Sequence, residues 1–285
     1  MIIFHQIGSL QDHINKERQK GKKIGFVPTM GALHQGHLSL ISRSRQESDV
    51  TVCSIFVNPT QFNDPKDFEK YPITTSQDIR LLIKAETDIL FLPSVEEIYP
   101  KGTQVDVHYD LGYLETILEG AHRPGHFQGV CQVVHRLLVI VQPDKLFLGQ
   151  KDYQQCMVLT KLVELISSPT RVIIGETVRE ENGLAMSSRN LRLSDDQRQK
   201  ATTIFHVLSA IKTQGSDKTV AELTSEAEKT LLSNGFNKVD YVAIADAETL
   251  ELLEPGEVPS NNKPLVALVA AFMGEVRLID NTLLT

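Results

Sequence analysis

Between residues 24 and 175 the chain passes repeatedly from a short, unbroken apolar run to a longer stretch whose apolar residues recur every three or four positions. Ile24 to Val27 and Val50-Thr-Val-Cys-Ser-Ile-Phe-Val57 are continuous runs of the kind found in strands covered on both faces. Asp88 to Leu92, Lys145 to Leu148 and Arg171 to Gly175 continue the series. Pro28 cannot donate to a ladder, so the first of these strands is expected to end there. Helical spacing marks residues 76 to 86, His126 to Val141 and Asp152 to Ile166, and Ser94-Val-Glu-Glu97 spells a capping box opening a brief helix. Asp152 and Gln155 spell another. Strands alternating with helices of this length predict an α/β fold, a parallel sheet wrapped by helices on both faces. Such sheets take ligands beyond the carboxyl ends of their strands.

The pattern changes after Gly175. Val178 to Met186 contains Asn182-Gly183, a two-residue hairpin turn by composition. Ser194-Asp-Asp-Gln197 is a capping box that predicts a helix to about Lys212, and a second helix covers Val220 to Ser233. Lys238 to Ala245, Lys263 to Met273 and Glu275 to Asp280 then read as strands. A smaller α+β domain is therefore expected over 176–285, behind an α/β domain over 1–175.

The stretch from Lys23 to Ile41 concentrates the first candidate chemistry. Gly31 and Gly36 bracket a turn between strand and helix, and His34 and His37 stand three apart at the helix start, so they can point the same way. A helix N-terminus with N–H groups and two imidazoles suits a phosphate. An ordinary strand–turn–helix corner with solvated histidines fits the same pattern. His-x-x-His is also half of a zinc site, but Cys53, Cys131 and Cys156 are scattered without pairing.

Four further segments fall just past strand ends. Asn58 and Gln61 bring neutral amides suited to hydroxyls or a carbonyl. Arg123 and His126 flank a Pro-Gly turn. Gly149 and Lys151 repeat the strand–glycine–helix logic, with Lys151 as a point charge for phosphate. Met186-Ser-Ser-Arg-Asn190 gathers two hydroxyls and a guanidinium at the expected domain junction.

Composition narrows the partner. A net charge of −7 over 285 residues argues against a general nucleic-acid or anionic-membrane binder. Cationic groups clustered at loops of an acidic chain fit a polyanionic small molecule. The dispersed cysteines and an N-terminus without a basic–apolar leader predict a cytoplasmic protein, and Leu265 to Met273, the longest apolar run, is too short to span a bilayer.

Five segments in order, Pro28-Thr-Met-Gly-Ala-Leu-His-Gln-Gly-His37, Phe56-Val-Asn-Pro-Thr-Gln-Phe62, His122-Arg-Pro-Gly-His-Phe127, Gly149-Gln-Lys-Asp-Tyr-Gln-Gln155 and Met186-Ser-Ser-Arg-Asn190, together resemble the pantothenate synthetase family. The likeness extends across essentially the whole chain. His-x-Gly-His by itself indicates just the wider nucleotidyltransferase and class I aminoacyl-tRNA synthetase superfamily. The resemblance implies an ATP-dependent ligase that joins pantoate to β-alanine through a pantoyl-adenylate, releasing pyrophosphate and then AMP. It implies a Rossmann-like N-terminal domain, a C-terminal lid, a homodimer, and ATP with Mg²⁺.

By the same resemblance, ATP meets Met30, Gly31, Ala32, Leu33, His34, Gln35, Gly36 and His37. Gly149, Gln150, Lys151, Asp152, Val178, Met186, Ser187, Ser188 and Arg189 complete that nucleotide site. Gln150 stands where the family varies and takes no separate role. His37 takes the acid role, and His34, Lys151 and Arg189 join it in stabilising charge. Gln61 and Gln155 hold pantoate, Gln61 also lies where β-alanine enters, and Asn58 and Arg123 align with further substrate positions. The segment Ser76-Gln-Asp78 does not single out a Mg²⁺ ligand. Two rivals remain: another nucleotidyltransferase with an unrelated acceptor, and a non-catalytic nucleotide-binding regulator.

Overall fold

The computed structural model describes residues 1–104, 107–260 and 262–284. In chain order its first elements are β1 (Ile2–Phe4), α1 (Ile7–Gln19), β2 (Ile24–Thr29), α2 (Gln35–Glu47), β3 (Val50–Ile55), α3 (Pro65–Glu69), α4 (Thr75–Lys84) and β4 (Ile89–Phe91). α5 (Val95–Ile98), α6 (Leu118–His122), α7 (His126–Val141), β5 (Lys145–Gly149), α8 (Tyr153–Leu165) and β6 (Arg171–Gly175) follow. The remainder is α9 (Asp195–Ala201), α10 (Thr203–Gln214), α11 (Val220–Ser233), β7 (Lys238–Asp246), β8 (Leu265–Met273) and β9 (Val276–Leu283). Two compact units result: Met1–Gln150 with Gln154–Glu176, and Lys151–Tyr153 with Thr177–Thr285.

In the first unit six parallel strands lie in the order β1-β4-β3-β2-β5-β6. The period-2 geometry of a strand sends successive side chains to opposite faces. Phe26, Val52, Ile89 and Leu146 join the core under α1 and α7, whereas their neighbours Val27, Cys53, Leu90 and Phe147 join the core under α2 and α4. Both faces are therefore buried, which is why these strands read as unbroken apolar runs. After β2 the chain moves outward to β3 and β4, and then returns to the other side of β2 with β5. The sheet's switch point thus lies between β2 and β5, and the loops leaving their carboxyl ends flank it.

α2 packs close on this point: a Cβ at Gly25 would stand 2.3 Å from Ser44 Oγ, so the glycine lets helix and strand approach. Leu40 and Ile41 of α2 are buried, each worth about 1.5–3 kcal/mol. That burial fixes where the helix N-terminus points.

Several local expectations are corrected. β2 does not stop before Pro28 but runs through it to Thr29, with Pro28 in register opposite Ser54. β5 pairs with β2 at Gly25 and Phe26, so by Pro28 that side of the strand has opened and the missing N–H is not needed. Ser94 caps α5, accepting from Glu97 N, but the Glu97 carboxylate accepts from Ile7 N at 2.7 Å and leaves the capping box half made. Asp152 closes a 3-10 turn over Gln150–Asp152 that runs straight into α8, so it is not the helix cap that the sequence suggested.

The second unit packs α10 and α11 against the antiparallel sheet β7-β8-β9. Ser194 and Gln197 form the expected capping box, but the helix breaks at Thr202, whose hydroxyl donates back to Gln199 O at 2.7 Å. The hairpin after Val178 also differs from the expected two-residue turn. Glu180 N donates to Leu184 O at 2.8 Å, and Gly183 alone of its three loop residues has a positive φ, +90°. This is a three-residue loop closed by a left-handed glycine.

Candidate active site

The loop leaving β2 is built from its own hydrogen bonds. Thr29 Oγ1 donates to Ser54 O at 2.7 Å and accepts from Gly31 N at 3.2 Å. Asp78, on α4 and just 1% exposed, accepts from Ala32 N at 3.0 Å, Leu33 N at 2.8 Å and Thr74 Oγ1 at 3.0 Å. Gly31 (φ +83°) and Ala32 (φ +48°) both take left-handed backbone, a conformation that costs a residue with a Cβ. The carboxylate holds that turn against its strain. Sequence reasoning noted Asp78 without a role, because its two backbone partners lie more than forty positions away.

At the start of α2 the two histidines cap the helix reciprocally. His34 is the N-cap; its Nδ1 accepts from Gly36 N at 3.2 Å, and His37 Nδ1 accepts from His34 N at 3.3 Å. The rings lie against each other with centroids 4.1 Å apart and planes tilted by 37°. A ring nitrogen that accepts a backbone N–H carries the lone pair, so the ring proton lies on Nε2. Each imidazole is thereby set as an Nε2–H donor at the positive end of the helix dipole.

This revises the expectation of open main-chain donors. The N–H groups of Gly31, Ala32, Leu33, His34, Gly36, His37 and Leu38 all have partners inside the chain. The side chains take over the donor role there.

The second motif meets the first through Gln61. Its Nε2 lies 3.1 Å from Met30 Sδ, and its Oε1 accepts from Asn58 Nδ2 at 3.0 Å. Asn58 is 1% exposed and its amide is engaged on both sides, so it stands behind Gln61. The third motif reaches the same turn: His126 Nδ1 donates to Gln61 O at 2.8 Å, and Arg123 NH1 lies 3.0 Å from His126 Nε2. Arg123 also pairs with buried Glu119 at 3.5 Å. Gly129 lets α7 approach this turn, since a Cβ there would stand 2.2 Å from Thr60 O. Gly149 ends β5 beside the switch point and Gln150 follows it. Gln155 is half-buried in the first turn of α8. Met30 to His37, Asn58, Gln61 and Arg123 are thus brought together by the first unit.

Within the second unit, Lys151 O accepts from Asn281 Nδ2 at 2.9 Å, and Lys151 Nζ lies 4.0 Å from Asp152. Val178 O accepts from Met186 N at 3.0 Å, which closes the hairpin. Ser187 caps a 3-10 turn over Ser188–Arg192, accepting from Arg189 N at 3.3 Å, and Ser188 is buried. Asn190 Nδ2 donates to Ala185 O at 3.0 Å and ties that turn to the hairpin.

Among the described residues no group of three or more His, Cys, Asp or Glu is placed to hold a metal, and both Asp78 oxygens already accept backbone N–H groups.

Known proteins match the chain over nearly its whole length. The model of the pantoate-beta-alanine ligase family matches residues 2–283. A pantothenate synthetase of Cytophaga hutchinsonii is 46% identical over 284 residues, covering 99% of this chain and 98% of its own. One from Porphyromonas gingivalis is 42% identical, with 99% and 98% covered. The crystal structure of pantothenate synthetase from Thermus thermophilus superposes with a TM-score of 0.89 at 42% identity, over 99% of both chains. The pantoate-beta-alanine ligase of Francisella tularensis, crystallised with beta-gamma ATP and beta-alanine, gives 0.84 at 39% identity, over 100% of this chain and 98% of that one. A capped pair of histidines at the switch point, a donor amide beside it and these full-length matches lead to one conclusion: the chain belongs to the pantoate–β-alanine ligase family.

Proposed function

We propose that this protein condenses pantoate with β-alanine at the expense of ATP, through a pantoyl-adenylate, releasing pyrophosphate and then AMP. The observation that carries the reading is the reciprocal histidine cap at the switch point, which aims two Nε2–H donors from a helix N-terminus. In adenylation the pantoate carboxylate attacks the α-phosphorus, and negative charge grows on the non-bridging oxygens and the departing pyrophosphate. Donors fixed in advance and a helix dipole stabilise such charge without reorganising. His34 and His37 take that role, with His37 as the acid to the leaving group, and Met30 to Leu33 border the nucleotide.

Gln61 holds pantoate through its Nε2–H groups, with Gln155 as a second amide and Arg123 and Asn58 behind the same turn. From the second unit, Lys151 and Arg189 are assigned to the phosphates, and Asp152, Val178, Met186, Ser187 and Ser188, with Gly149 and Gln150 of the first unit, to the rest of the nucleotide. Residues 176–285 act as a lid that keeps water from the mixed anhydride while the neutral amine of β-alanine attacks its acyl carbon. Mg²⁺ is expected as companion of the triphosphate, in keeping with its habit of binding through phosphates and water. The family resemblance supports a homodimer. Three buried cysteines, each kept as a thiol, support a reducing, cytoplasmic setting, and among the described residues no helix is long and apolar enough to cross a membrane.

Omission assays test the reading. Product analysis with ATP, pantoate and β-alanine is expected to give AMP, pyrophosphate and the amide in equal amounts, and none when pantoate is left out. ADP as product, or amide formation without ATP, would overturn it.

A further inference from the structure

Behind Gln61 lies a buried chain of hydrogen bonds that the nucleotide chemistry does not use. Tyr99, 3% exposed, donates its hydroxyl to Asn58 Oδ1 at 2.8 Å. Two backbone groups settle which way the Asn58 amide faces. Gly129 C=O can only accept, and lies 3.2 Å from Nδ2; Thr60 N–H can only donate, and lies 3.4 Å from Oδ1. Asn58 Nδ2 therefore faces Gln61 Oε1 as a donor at 3.0 Å, with Thr60 Oγ1 at the same distance. With Oε1 committed inward, Gln61 keeps Nε2 on the other side, next to the soft acceptor Met30 Sδ.

We propose that Tyr99 is a positioning residue: through Asn58 it fixes the Gln61 amide so that Gln61 meets its substrate as a donor and not as an acceptor. A carboxylate or hydroxyl oxygen is the complementary partner. The inference rests on the function proposed above for the identity of that substrate.

The surroundings of Tyr99 suit the role. Burial pushes its phenol above the ordinary range, so the hydroxyl keeps the proton that it donates. The Arg136 guanidinium lies 4.9 Å over the ring and donates to Ile98 O at 2.9 Å, which helps hold the ring in place. Gln61 is held at its main chain as well, by His126 Nδ1. Gln61 is thus fixed at both ends.

The test is a double-mutant cycle of Tyr99→Phe and Gln61→Ala. Tyr99→Phe alone is expected to raise KM for pantoate about tenfold, with kcat and the KM for ATP moving less than about twofold. In the Gln61→Ala background the same change should move KM for pantoate less than about twofold, because the amide it orients is gone. An equal factor in both backgrounds, or an equal rise in the KM for ATP, would overturn the proposal.

Side-chain amide signals give a readout that does not depend on the substrate. The Gln61 Nε2 pair, assigned by its absence in Gln61→Ala, should shift in Tyr99→Phe; an unmoved pair overturns the relay even if the protein proves inactive with pantoate. If Tyr99→Phe does not fold, Asn58→Asp replaces the donor facing Gln61 by an oxygen and should turn the Gln61 amide round. An unmoved Gln61 amide signal in that variant counts against the relay in the same way.

Discussion

Asp78 should matter to this protein as much as any residue that touches a substrate. Replacing it by alanine strands the N–H groups of Ala32 and Leu33 in a buried site. An unsatisfied buried donor costs about 1–3 kcal/mol, so a loss of roughly 3 kcal/mol is expected. In a unit of this size each kcal/mol moves Tm by about 2–4 °C, giving a fall of roughly 6–12 °C. Asp78→Asn keeps one acceptor oxygen and should lose about half as much. The turn it holds includes Ala32 at φ +48°, so Ala32→Gly should recover part of the Asp78→Ala loss by relieving backbone strain. Thermal unfolding gives the stability series, and initial rates against ATP concentration give the site's response. Because the loop leads into the histidine cap, the KM for ATP should rise in the same order as Tm falls. An Asp78→Ala protein melting within about 2 °C of the parent would refute the reasoning, since two stranded donors cannot cost so little.

Other consequences follow from the same geometry. His37→Gln keeps an N3 side chain able to reach back to the cap, so it should fold normally while adenylation falls about 10²–10³-fold; Lys151→Ala should show a similar loss, and single-turnover adenylate formation reads both. Gly129→Ala drives a methyl into Thr60 O and should cost about 1–3 kcal/mol or more while raising the KM for pantoate, which thermal melts and steady-state rates will show. Glu17, hydrogen-bonded to Lys20 and Lys22, is held at about 2 against an ordinary 4.5. A depressed carboxylate contributes stability that is complete above about pH 4.5 and is lost as pH falls toward 2, so Glu17→Gln should flatten the acid limb of a stability–pH curve in that window.

Much of the first unit was legible because burial on both sheet faces writes itself as continuous apolar runs. Val50 to Ile55 is the clearest case, buried at every position. The positions of His34, His37 and Gln61 were readable too, since each follows a strand end. What escaped notice was local weakness or distant partnership. β1 has three residues, two of them exposed, and leaves almost no periodic trace. Pro28 read as a terminator because its missing N–H matters just where a neighbouring strand asks for it. Glu97 read as half of a capping box, but Ile7 N, ninety positions away, takes its carboxylate. Tyr99 and Asp78 were opaque for the same reason. A tyrosine after a short helix and an aspartate inside an amphipathic one carry no local sign of a partner brought in by the fold. The main-chain donors of Ala32 and Leu33 looked open because Asp78, which consumes them, is remote in sequence, whereas Gly31, His34 and Gly36 donate to side chains only two or three positions away.

The central claim is that these residues activate an acid as its adenylate before any amine arrives, and isotope exchange measures that step alone. Enzyme supplied with ATP, Mg²⁺ and pantoate, without β-alanine, should move labelled pyrophosphate into ATP. Adding β-alanine should then release AMP and form the amide. Exchange that requires β-alanine, or that fails with pantoate yet proceeds with a nucleotide or phosphate-bearing acceptor, would contradict the account.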